Sequence, residues 1–439
     1  MTKKRHSIFL LTALLLAGLS SCLVMPTLST ISAIMIGILV IVEDEQYDFY
    51  TLLASSLFFN AIAISGNLMM NVFVYIYVFK CLASNKIQVY GWTSGLYILL
   101  CLVVFMQDII KGTFTNALWS LDKLLWLFTF VLAFNPKQYN HKYAIILLFI
   151  SLCINNICNI FNTPDLASLG DASILHYRLG EGDVDAGTSN NLGGAMDFPV
   201  RTILAISLAM PLLVKRTISK VPQIIIAMTS VALLIITFFT TSRVYLIGIG
   251  VFVIMLILST LRSPRKAIPY VIILGVVLYF VLDSSFSDVI INRYLFRTVD
   301  ASDFSNGREA IWNFWMEYLS NHPLVFLFGL GLSYQAAVRD MISVTATHNI
   351  ILDSIVSFGL IGSIILIVFL INFAKRLRIW TNFSPTIISS IPLICWLAMS
   401  MTSTVFSVPY TYAILPFMVI HLYYCQTITS KDENSYLYS

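Results

Sequence analysis

Residues 350–374 read IILDSIVSFGLIGSIILIVFLINFA, and Asp353 is the single charged residue in this run. About 20 mainly apolar residues are enough to cross the hydrocarbon core of a bilayer as a helix. The whole chain has the same character, because 58% of its 439 residues are hydrophobic and only 11% are charged, against about 25% charge in a typical soluble domain. The apolar runs lack the period-two alternation of barrel strands. The sequence therefore predicts an all-α polytopic membrane protein.

Apolar runs recur along the whole chain, and we predict a single integral membrane domain over 1–439 with about 12–14 transmembrane helices. The candidate spans are 7–23, 26–43, 51–64, 67–82, 93–110, 117–134, 143–161, 197–214, 222–241, 243–261, 268–284, 350–374, 382–402 and 409–425. The span 51–64 is short enough to be re-entrant, and removing it with its neighbour 67–82 gives the lower number.

The basic residues indicate the orientation, because short cytoplasmic loops carry an excess of Lys and Arg. Most of the 26 basic residues fall in loops on one side, including the clusters at 214–220, 262–266 and 375–378. We therefore expect both termini to be cytoplasmic. Two long loops, about 162–196 and 285–349, are then external and form the main water-facing part of the protein.

The second external loop contains a predicted amphipathic helix. Asn306 can cap it, Glu309 stands three residues later, and Pro323 ends it. Its apolar stripe consists of Ile311, Trp312, Trp315 and Leu319. We expect this helix to lie at the membrane interface with its tryptophans in the headgroup layer. Gly329 and Gly331 predict a turn beyond it.

The seven cysteines and the N-terminal segment each have a plain interpretation. The cysteines lie in or beside apolar runs, so their spacing suggests neither a disulfide framework nor a zinc site. No metal-ligating constellation appears in either external loop. The segment from Lys3 to Cys22 is similar to a lipoprotein signal peptide. A second apolar run follows almost at once, which favours an uncleaved first span.

Arginine predominates among the basic residues predicted to be external, whereas lysine predominates among those inside. The planar guanidinium can hold phosphate oxygens through two hydrogen bonds, so an arginine-rich external face suggests an anionic, phosphorylated substrate. The alternative is that these arginines order the loops by pairing with nearby aspartates. The external arginines considered for substrate binding are Arg178, Arg201, Arg243, Arg297 and Arg308.

Arg243 and Arg201 are the most informative of these arginines. Arg243 follows Thr240-Thr241-Ser242 at the external tip of a hairpin between two apolar spans, where a charge is costly to hold. A snorkelling interfacial side chain is the alternative. Arg201 lies one turn inside the eighth span, and Asp197 four residues before it can form an intrahelical ion pair.

His348 is the candidate for proton transfer. It is the last external residue before the span that begins at residue 350, and an imidazole at the membrane surface can gain or lose a proton near neutral pH. It belongs to a pattern in which His348-Asn349 is followed by nine residues and then by Gly359-Leu360-Ile361-Gly362. Gly359 and Gly362, with Ser363, offer a small-residue face that lets another helix approach closely.

This pattern resembles the signature of the O-antigen ligase and polymerase superfamily. Three further segments resemble family features in the expected order: Asn191-Leu192-Gly193-Gly194, the Ser242-Arg243 hairpin, and Gly307-Arg308 leading through His322-Pro323 to Gly329-Leu330-Gly331. The resemblance covers 190–375, while the first 160 residues match in hydropathy alone.

The resemblance implies a metal-independent glycosyltransferase of the bacterial inner membrane, acting on its external face without a cofactor. Its donor would be an undecaprenyl-pyrophosphate-linked oligosaccharide. Arg243 and His348 would be catalytic, Arg308, Arg201, Arg178 and Arg297 would bind the donor pyrophosphate, and Asn349, Gly359 and Gly362 would support the motif. Partners would be membrane lipids, a chain-length regulator and a flippase, with no nucleic acid.

Three functions remain open at this point. Two long external loops favour a polymerase that joins repeat units into O-antigen, capsular or exopolysaccharide chains. A ligase would transfer the glycan to lipid A-core, or to protein in a related enzyme; Ser363-Ile364 replaces the Thr-Val of many ligases. The third possibility is a polysaccharide transporter or flippase, a class that usually shows repeats and helices broken at mid-membrane.

Overall fold

The computed structural model describes most of the chain. The described residues are 3–87, 91–110, 114–135, 138–163, 179, 192, 197–214, 218–262, 268–269, 271–272, 275–276, 279, 287–298, 308–332, 334–338, 346–377, 387–403, 405–406 and 410–436. The first external loop and the predicted span 268–284 therefore lie largely outside them.

Helices dominate the described part of the chain. In chain order they are α1 (Lys3–Cys22), α2 (Pro26–Val42), α3 (Glu45–Ser55), α4 (Met70–Ala83), α5 (Gly91–Ile110), α6 (Phe114–Val131), α7 (His141–Phe161), α8 (Asp197–Val214), α9 (Lys220–Thr237), α10 (Arg243–Arg262), α11 (Ser287–Thr298), α12 (Arg308–Asn321), α13 (Pro323–Phe328), α14 (Tyr334–Ala337), α15 (Ile350–Arg376), α16 (Ile387–Ser400) and α17 (Thr411–Tyr436). Short 3₁₀ turns follow α3 (Ser56–Phe58) and α9 (Phe238–Thr240). One two-stranded sheet, β1 (Ala63–Ile64) antiparallel to β2 (Asn67–Leu68), is the only sheet in these ranges.

The predicted class, an all-α polytopic membrane protein, is confirmed. Among the described residues, five helices are long and apolar enough to cross a membrane: Lys3–Cys22, His141–Phe161, Asp197–Val214, Lys220–Thr240 (α9 with its 3₁₀ turn) and Ile350–Arg376. Shorter apolar helices or helix segments lie at Pro26–Val42, Met70–Ala83, Gly91–Gln107, Arg243–Ser259, Ile387–Ser400 and Thr411–Cys425. These elements coincide closely with the predicted spans.

The short helices α3 and α4 together cover the length of α2. At one end, Lys80 of α4 donates to the carbonyl oxygens of Val40 at 2.8 Å and Glu43 at 2.6 Å. At the other end, Ser29 donates to the carbonyl oxygen of Ala61 at 2.7 Å, beside the β1–β2 hairpin. The hairpin alongside α2 thus consists of α3, which begins and ends earlier than the segment predicted at 51–64, and α4, which matches the segment predicted at 67–82, with the small sheet at its tip.

α15 is not one continuous helix, because it breaks at Gly359, where φ is 72° and ψ is 174°. No residue with a side chain adopts this conformation readily. The break divides a nine-residue N-terminal segment, 350–358, from a longer apolar segment. A helix broken inside a span was not expected from the sequence.

A second apolar core lies on the side of the N-terminal segment of α15, apart from the main helical core. It contains residues of α12 and α15 and of the chain between them: Ile311, Trp315, Leu319, Leu330, Tyr334, Val338, Leu352 and Val356. This packing joins the second predicted external loop to the broken helix. It also brings α12 next to the His348 segment.

Candidate active site

The amphipathic helix predicted in the second loop is α12, and its stripe faces protein. Ile311, Trp315 and Leu319 are buried, and the Trp315 ring meets that of Tyr334 edge-on at 5.4 Å. Trp312 Nε1 donates to the carbonyl oxygen of Thr347 at 3.0 Å. The expectation that these tryptophans lie among lipid headgroups is therefore wrong for Trp315, because the loop has its own core. The predicted cap Asn306 lies outside the described residues.

Asn349 caps the N-terminus of α15, which gives the asparagine of the His-Asn pair a structural role. Its side-chain oxygen accepts hydrogen bonds from the backbone N–H groups of Ile351 at 2.9 Å and Leu352 at 3.2 Å. Free N–H groups at a helix start need such partners. The cap fixes where the helix begins, and hence where the preceding residue stands.

His348 adopts a left-handed backbone conformation with φ of 48°. This region costs a non-glycine residue of the order of 1 kcal/mol or more and recurs at functional sites. On one side the chain is held by Asn349, and on the other by Thr347, whose carbonyl oxygen accepts from Trp312. The backbone that carries the His348 imidazole is therefore held in place by the residues on both sides of it, Thr347 and Asn349.

Asp353 lies one turn into α15 and connects three parts of the site. It is fully buried, and its carboxylate accepts from Tyr334 Oη at 2.8 Å and from the backbone N–H groups of Val405 at 2.8 Å and Phe406 at 2.7 Å. Tyr334 Oη in turn accepts from the Thr347 N–H at 3.4 Å. The buried ammonium of Lys123 on α6 donates to the Leu332 carbonyl oxygen at 3.3 Å.

The two motif glycines meet different neighbours. A β-carbon on Gly359 would lie 2.3 Å from the carbonyl oxygen of Leu327, whereas one on Gly362 would lie 3.3 Å from Val103 of α5. The break also frees carbonyl groups, and two of these accept hydrogen bonds from the turn after α13. The Leu330 N–H donates to the Val356 carbonyl oxygen at 2.6 Å, and the Gly331 N–H donates to the Ser357 carbonyl oxygen at 3.0 Å. The partner of Gly359 is therefore a backbone turn rather than a helix face.

Arg243 stands at the start of α10, as the hairpin pattern predicted. The 3₁₀ turn that closes α9 ends at Thr241, whose φ of 44° reverses the chain. The Ser242 carbonyl oxygen accepts from the Tyr245 N–H at 3.0 Å, which begins the next helix. The Arg243 side chain is only partly buried.

Arg308 is electrostatically coupled to both other candidates. Burial, and then the positive charge of Arg243, lower the pKa of Arg308 below its usual range. Burial, and then the positive charge of Arg308, lower the pKa of His348 to about 4. The Trp312–Thr347 hydrogen bond places the start of α12 beside the chain before His348, and we refer to Arg243, Arg308 and His348 together as the cluster.

The members of this cluster share a position in the fold. Arg243 and Arg308 are the first residues of α10 and α12, and His348 immediately precedes the cap of α15. A helix N-terminus carries partial positive charge, so a cation there is placed unfavourably unless an anion joins it. Two arginines and three helix N-termini make this region suited to a pyrophosphate, and His348 is neutral at pH 7.

Arg201 lies in a network of its own and is 3% exposed. Its Nη1 donates to Asn155 Oδ1 and to the Leu192 carbonyl oxygen. Its Nη2 lies 3.9 Å from Asp197 Oδ2, and the guanidinium stands 5.6 Å from the Tyr410 ring centre. The intrahelical pair considered from the sequence is present. These contacts join α7 and α8 to the chain before α17.

The remaining candidates cannot be placed. Arg178 lies outside the described residues, and Arg297 lies in α11 with its side chain outside them.

Among described residues, one group has metal-ligating geometry, His141, His421 and Cys425, and it lies at the other end of α7 from the Arg201 network.

Sequence reasoning missed Asp353, Tyr334, Thr347 and Lys123 as parts of the site. Asp353 and Lys123 each carried a signal, because a charge inside an apolar span is expensive and marks either function or a buried pair. Tyr334 and Thr347 carried none, because both are uncharged residues of the predicted external loop 285–349.

Comparison with known proteins is consistent with this geometry. Residues 228–367, roughly a third of the chain, match the family model described as O-antigen ligase. The matched range contains Arg243, Arg308, His348 and both glycines of the Gly-x-x-Gly motif. No curated protein matches the chain.

Proposed function

We propose, from the match of residues 228–367 to the family model described as O-antigen ligase, that the protein polymerises undecaprenyl-pyrophosphate-linked repeat units on the external face of the bacterial inner membrane. The observation that carries the proposal is that α12, which begins at Arg308, packs against the chain before His348 through the Trp312–Thr347 hydrogen bond and the shared apolar core; the effects of Arg243 on Arg308 and of Arg308 on His348 agree with this packing. Two fixed cations next to one neutral base are what a sugar transfer from a pyrophosphate donor needs. A glycosyltransferase-type activity fits the family.

The reaction would proceed as a displacement at the anomeric carbon. The acceptor hydroxyl oxygen attacks this carbon while the bond to the pyrophosphate oxygen breaks, and the hydroxyl proton passes to the His348 imidazole. Undecaprenyl pyrophosphate leaves with the bonding electron pair. Arg243 and Arg308 stabilise the negative charge that develops on its oxygens, the type of contribution that fixed donors make best in a dry site.

The buried carboxylate of Asp353 helps to position His348 through a chain of hydrogen bonds. Tyr334 links Asp353 to Thr347, the residue before His348. Burial and the neighbouring Asp353 raise the pKa of Tyr334 above its usual range, so its hydroxyl stays protonated. We assign Asp353 and Tyr334 as positioning residues.

A reconstituted assay tests the proposal. The full-length protein in detergent or vesicles is given purified lipid-linked repeat units, and products are separated by chain length. We expect polymers from the wild type and unjoined single repeats from His348→Asn. Absence of polymer from folded wild type, with transfer to added lipid A-core instead, would replace the polymerase by the ligase.

The ligase is the second candidate, since the matched family model is described as O-antigen ligase. Both enzymes would use the same donor and the same cluster, and they differ in the acceptor. An assay that offers repeat units and lipid A-core together, with products resolved by mass, separates them directly.

A transporter fits the residues less well, although α15 is broken within its span. In transporters, the unwound backbone commonly coordinates the transported ion or substrate. Here the freed carbonyl oxygens of Val356 and Ser357 accept from Leu330 and Gly331 of the same chain. The break therefore joins two segments of the protein instead of offering groups to a solute.

A further inference from the structure

A histidine–cysteine cluster lies far from the candidate active site. His141 begins α7, and His421 and Cys425 lie on α17; all three are buried. His141 Nε2 is 3.1 Å from His421 Nδ1, and Cys425 Sγ is 3.6 Å from His421 Nε2. One ligand atom from each residue falls within 4.8 Å of the others.

These residue types and this spacing suit a transition-metal ion. His421 and Cys425 are four apart on one helix and therefore share a face, as do helical ligand pairs of known zinc sites. Imidazole and thiolate together favour Zn²⁺ or Cu⁺ over Mg²⁺ or Ca²⁺. Tetrahedral bonds of about 2.0–2.3 Å put ligand atoms roughly 3.3–3.6 Å apart, so binding needs a contraction of at most about 1.5 Å.

The surroundings of the cluster are aromatic and buried. The Tyr424 ring stacks on His141 at 4.9 Å with an interplanar angle of 7°, and Phe417 lies 6.1 Å from the same imidazole. Tyr424 Oη donates to the Tyr139 carbonyl oxygen at 3.4 Å. Such a shell holds ligand side chains in place and excludes water from a bound ion.

The position of the cluster separates it from sugar transfer. Asn155, near the other end of α7, contacts Arg201 at the start of α8, and Thr202 beside it contacts Thr237 near the end of α9. That end of the bundle therefore also holds Arg243. A helix of 21 residues is about 30 Å long, so His141 stands at the opposite membrane face.

We propose that His141, His421 and Cys425 bind one Zn²⁺ or Cu⁺ ion that fastens α7 to α17 at the end of the bundle opposite Arg243. The ion is structural and takes no part in transfer, so the proposal is independent of the function proposed above. The competing arrangement is a metal-free hydrogen-bonded chain through the same three side chains.

Metal analysis of the full-length protein in detergent decides between them. After incubation with Zn²⁺ or with Cu⁺ under reducing conditions and removal of excess, we expect about one equivalent of one of these ions per chain by elemental analysis. Cys425→Ser and His421→Asn should weaken retention by more than the roughly 10–100-fold typical of a lost outer-shell partner, since each removes a ligand itself. Cys395→Ser, also at a buried cysteine, and His322→Asn, at an exposed histidine, are matched controls and should retain the ion.

A measurement on the wild type alone covers the case in which a variant fails to fold. Co²⁺ should give a sulfur-to-cobalt charge-transfer absorption. Retention of neither ion, with no cobalt–sulfur absorption, would overturn the proposal in favour of the hydrogen-bonded chain. Equal metal retention by folded Cys425→Ser and wild type would overturn it as well.

Discussion

Gly329 and Gly359 meet backbone to backbone. A β-carbon built on Gly329 would lie 2.4 Å from the amide nitrogen of Gly359, and both residues have positive φ, 80° and 72°. The contact fastens the turn after α13 to the break in α15. Because α12 packs on the same segment, the contact also helps to hold α12, which begins at Arg308, against the N-terminal part of α15.

Gly359→Ala should therefore destabilise the protein severely. The new methyl group meets rigid backbone, and the required φ and ψ are reserved for glycine, a strain of about 1–3 kcal/mol before any clash is counted. We expect a lower unfolding temperature in detergent and less folded protein by size-exclusion chromatography.

Gly250→Ala is the matched control for this change. Gly250 lies within α10, and a β-carbon there would meet no atom within 4 Å. Alanine at a helical site without clashes is neutral or stabilising by up to about 1 kcal/mol. Equal unfolding temperatures for Gly359→Ala and Gly250→Ala would contradict the backbone contact.

Asp353→Ala should also lower stability, through hydrogen bonds. It removes the acceptor of the Tyr334 hydroxyl and of the Val405 and Phe406 N–H groups. Each buried donor left without a partner costs about 1–3 kcal/mol. Tyr334→Phe removes the hydroxyl's bonds to Asp353 and to the Thr347 N–H and should cost about 1–3 kcal/mol, while the exposed Asp288→Asn should leave the unfolding temperature unchanged.

Kinetics of Tyr334→Phe then separate positioning from mere stability. In protein that remains folded, we expect kcat to fall while the KM for the lipid-linked donor changes little, since the Thr347–His348 backbone is displaced but the arginines are not. Unchanged kcat in folded Tyr334→Phe would remove Tyr334 from the positioning of His348.

The fold was predictable where the length and hydropathy of an apolar run left one structure possible. The run 350–374 had to be a membrane helix by length and hydropathy, and the bounds of α8, 197–214, agree with its predicted span. The break at Gly359 was not predictable, because a glycine inside an apolar helix usually stays helical. What decides the conformation is the turn at Gly329, which comes from another part of the chain.

Only those residues of the candidate site that carry charged or titratable side chains at segment edges were predictable from the sequence. The sequence drew attention to three of these side chains, Arg243, Arg308 and His348. Each lies at the edge of an apolar or amphipathic segment, where a charged or titratable side chain suggests a functional role. Their coupling depends on how α12 folds back over α15, and the apolar stripe of α12 did not say which surface it would cover. The expectation of lipid for Trp315 failed for that reason.

Orientation can be tested directly by cysteine labelling from each side of the membrane. Position 310 follows Arg308 on α12 and should react from the outside, as should 170–190, whereas 215–220, 262–266 and 375–378 should react from the cytoplasm. Single-cysteine variants of a cysteine-free, active background provide the readout. A cytoplasmic residue 310 would exclude transfer on the external face.

His348→Asn tests the imidazole without disturbing the backbone, because asparagine tolerates the left-handed conformation that residue 348 adopts. We expect a loss of about 10²–10⁴-fold in transfer, typical of a general acid–base group, with an unchanged unfolding temperature. His322→Asn, at an exposed histidine, should remain active. Wild-type activity in folded His348→Asn would exclude proton transfer by this residue.

The pH dependence should reflect the low pKa of His348, which burial lowers most and the charge of Arg308 lowers further. The His348 base works when neutral, so activity is lost as pH falls through its pKa, which is about 4 in the free protein. The acid limb of kcat/KM should therefore lie near pH 4. Arg308→Gln removes a positive charge that opposes protonation, so the limb should move to higher pH. A limb that stays in place would show that Arg308 does not act on His348.

Arg243→Lys is the sharpest test of how the donor is held, because it keeps the charge and removes the planar fork. If Arg243 binds two pyrophosphate oxygens at once, lysine cannot replace it, and we expect Arg243→Lys to be nearly as inactive as Arg243→Ala. Loss of one fixed donor to a developing oxyanion typically costs about 10²–10³-fold in kcat. Arg262→Lys, at the opposite end of α10, is the matched control and should keep full activity. Full activity in Arg243→Lys would reduce Arg243 to a point charge. Full activity in Arg243→Ala would leave Arg308 as the cation beside His348 and move the pyrophosphate towards α12.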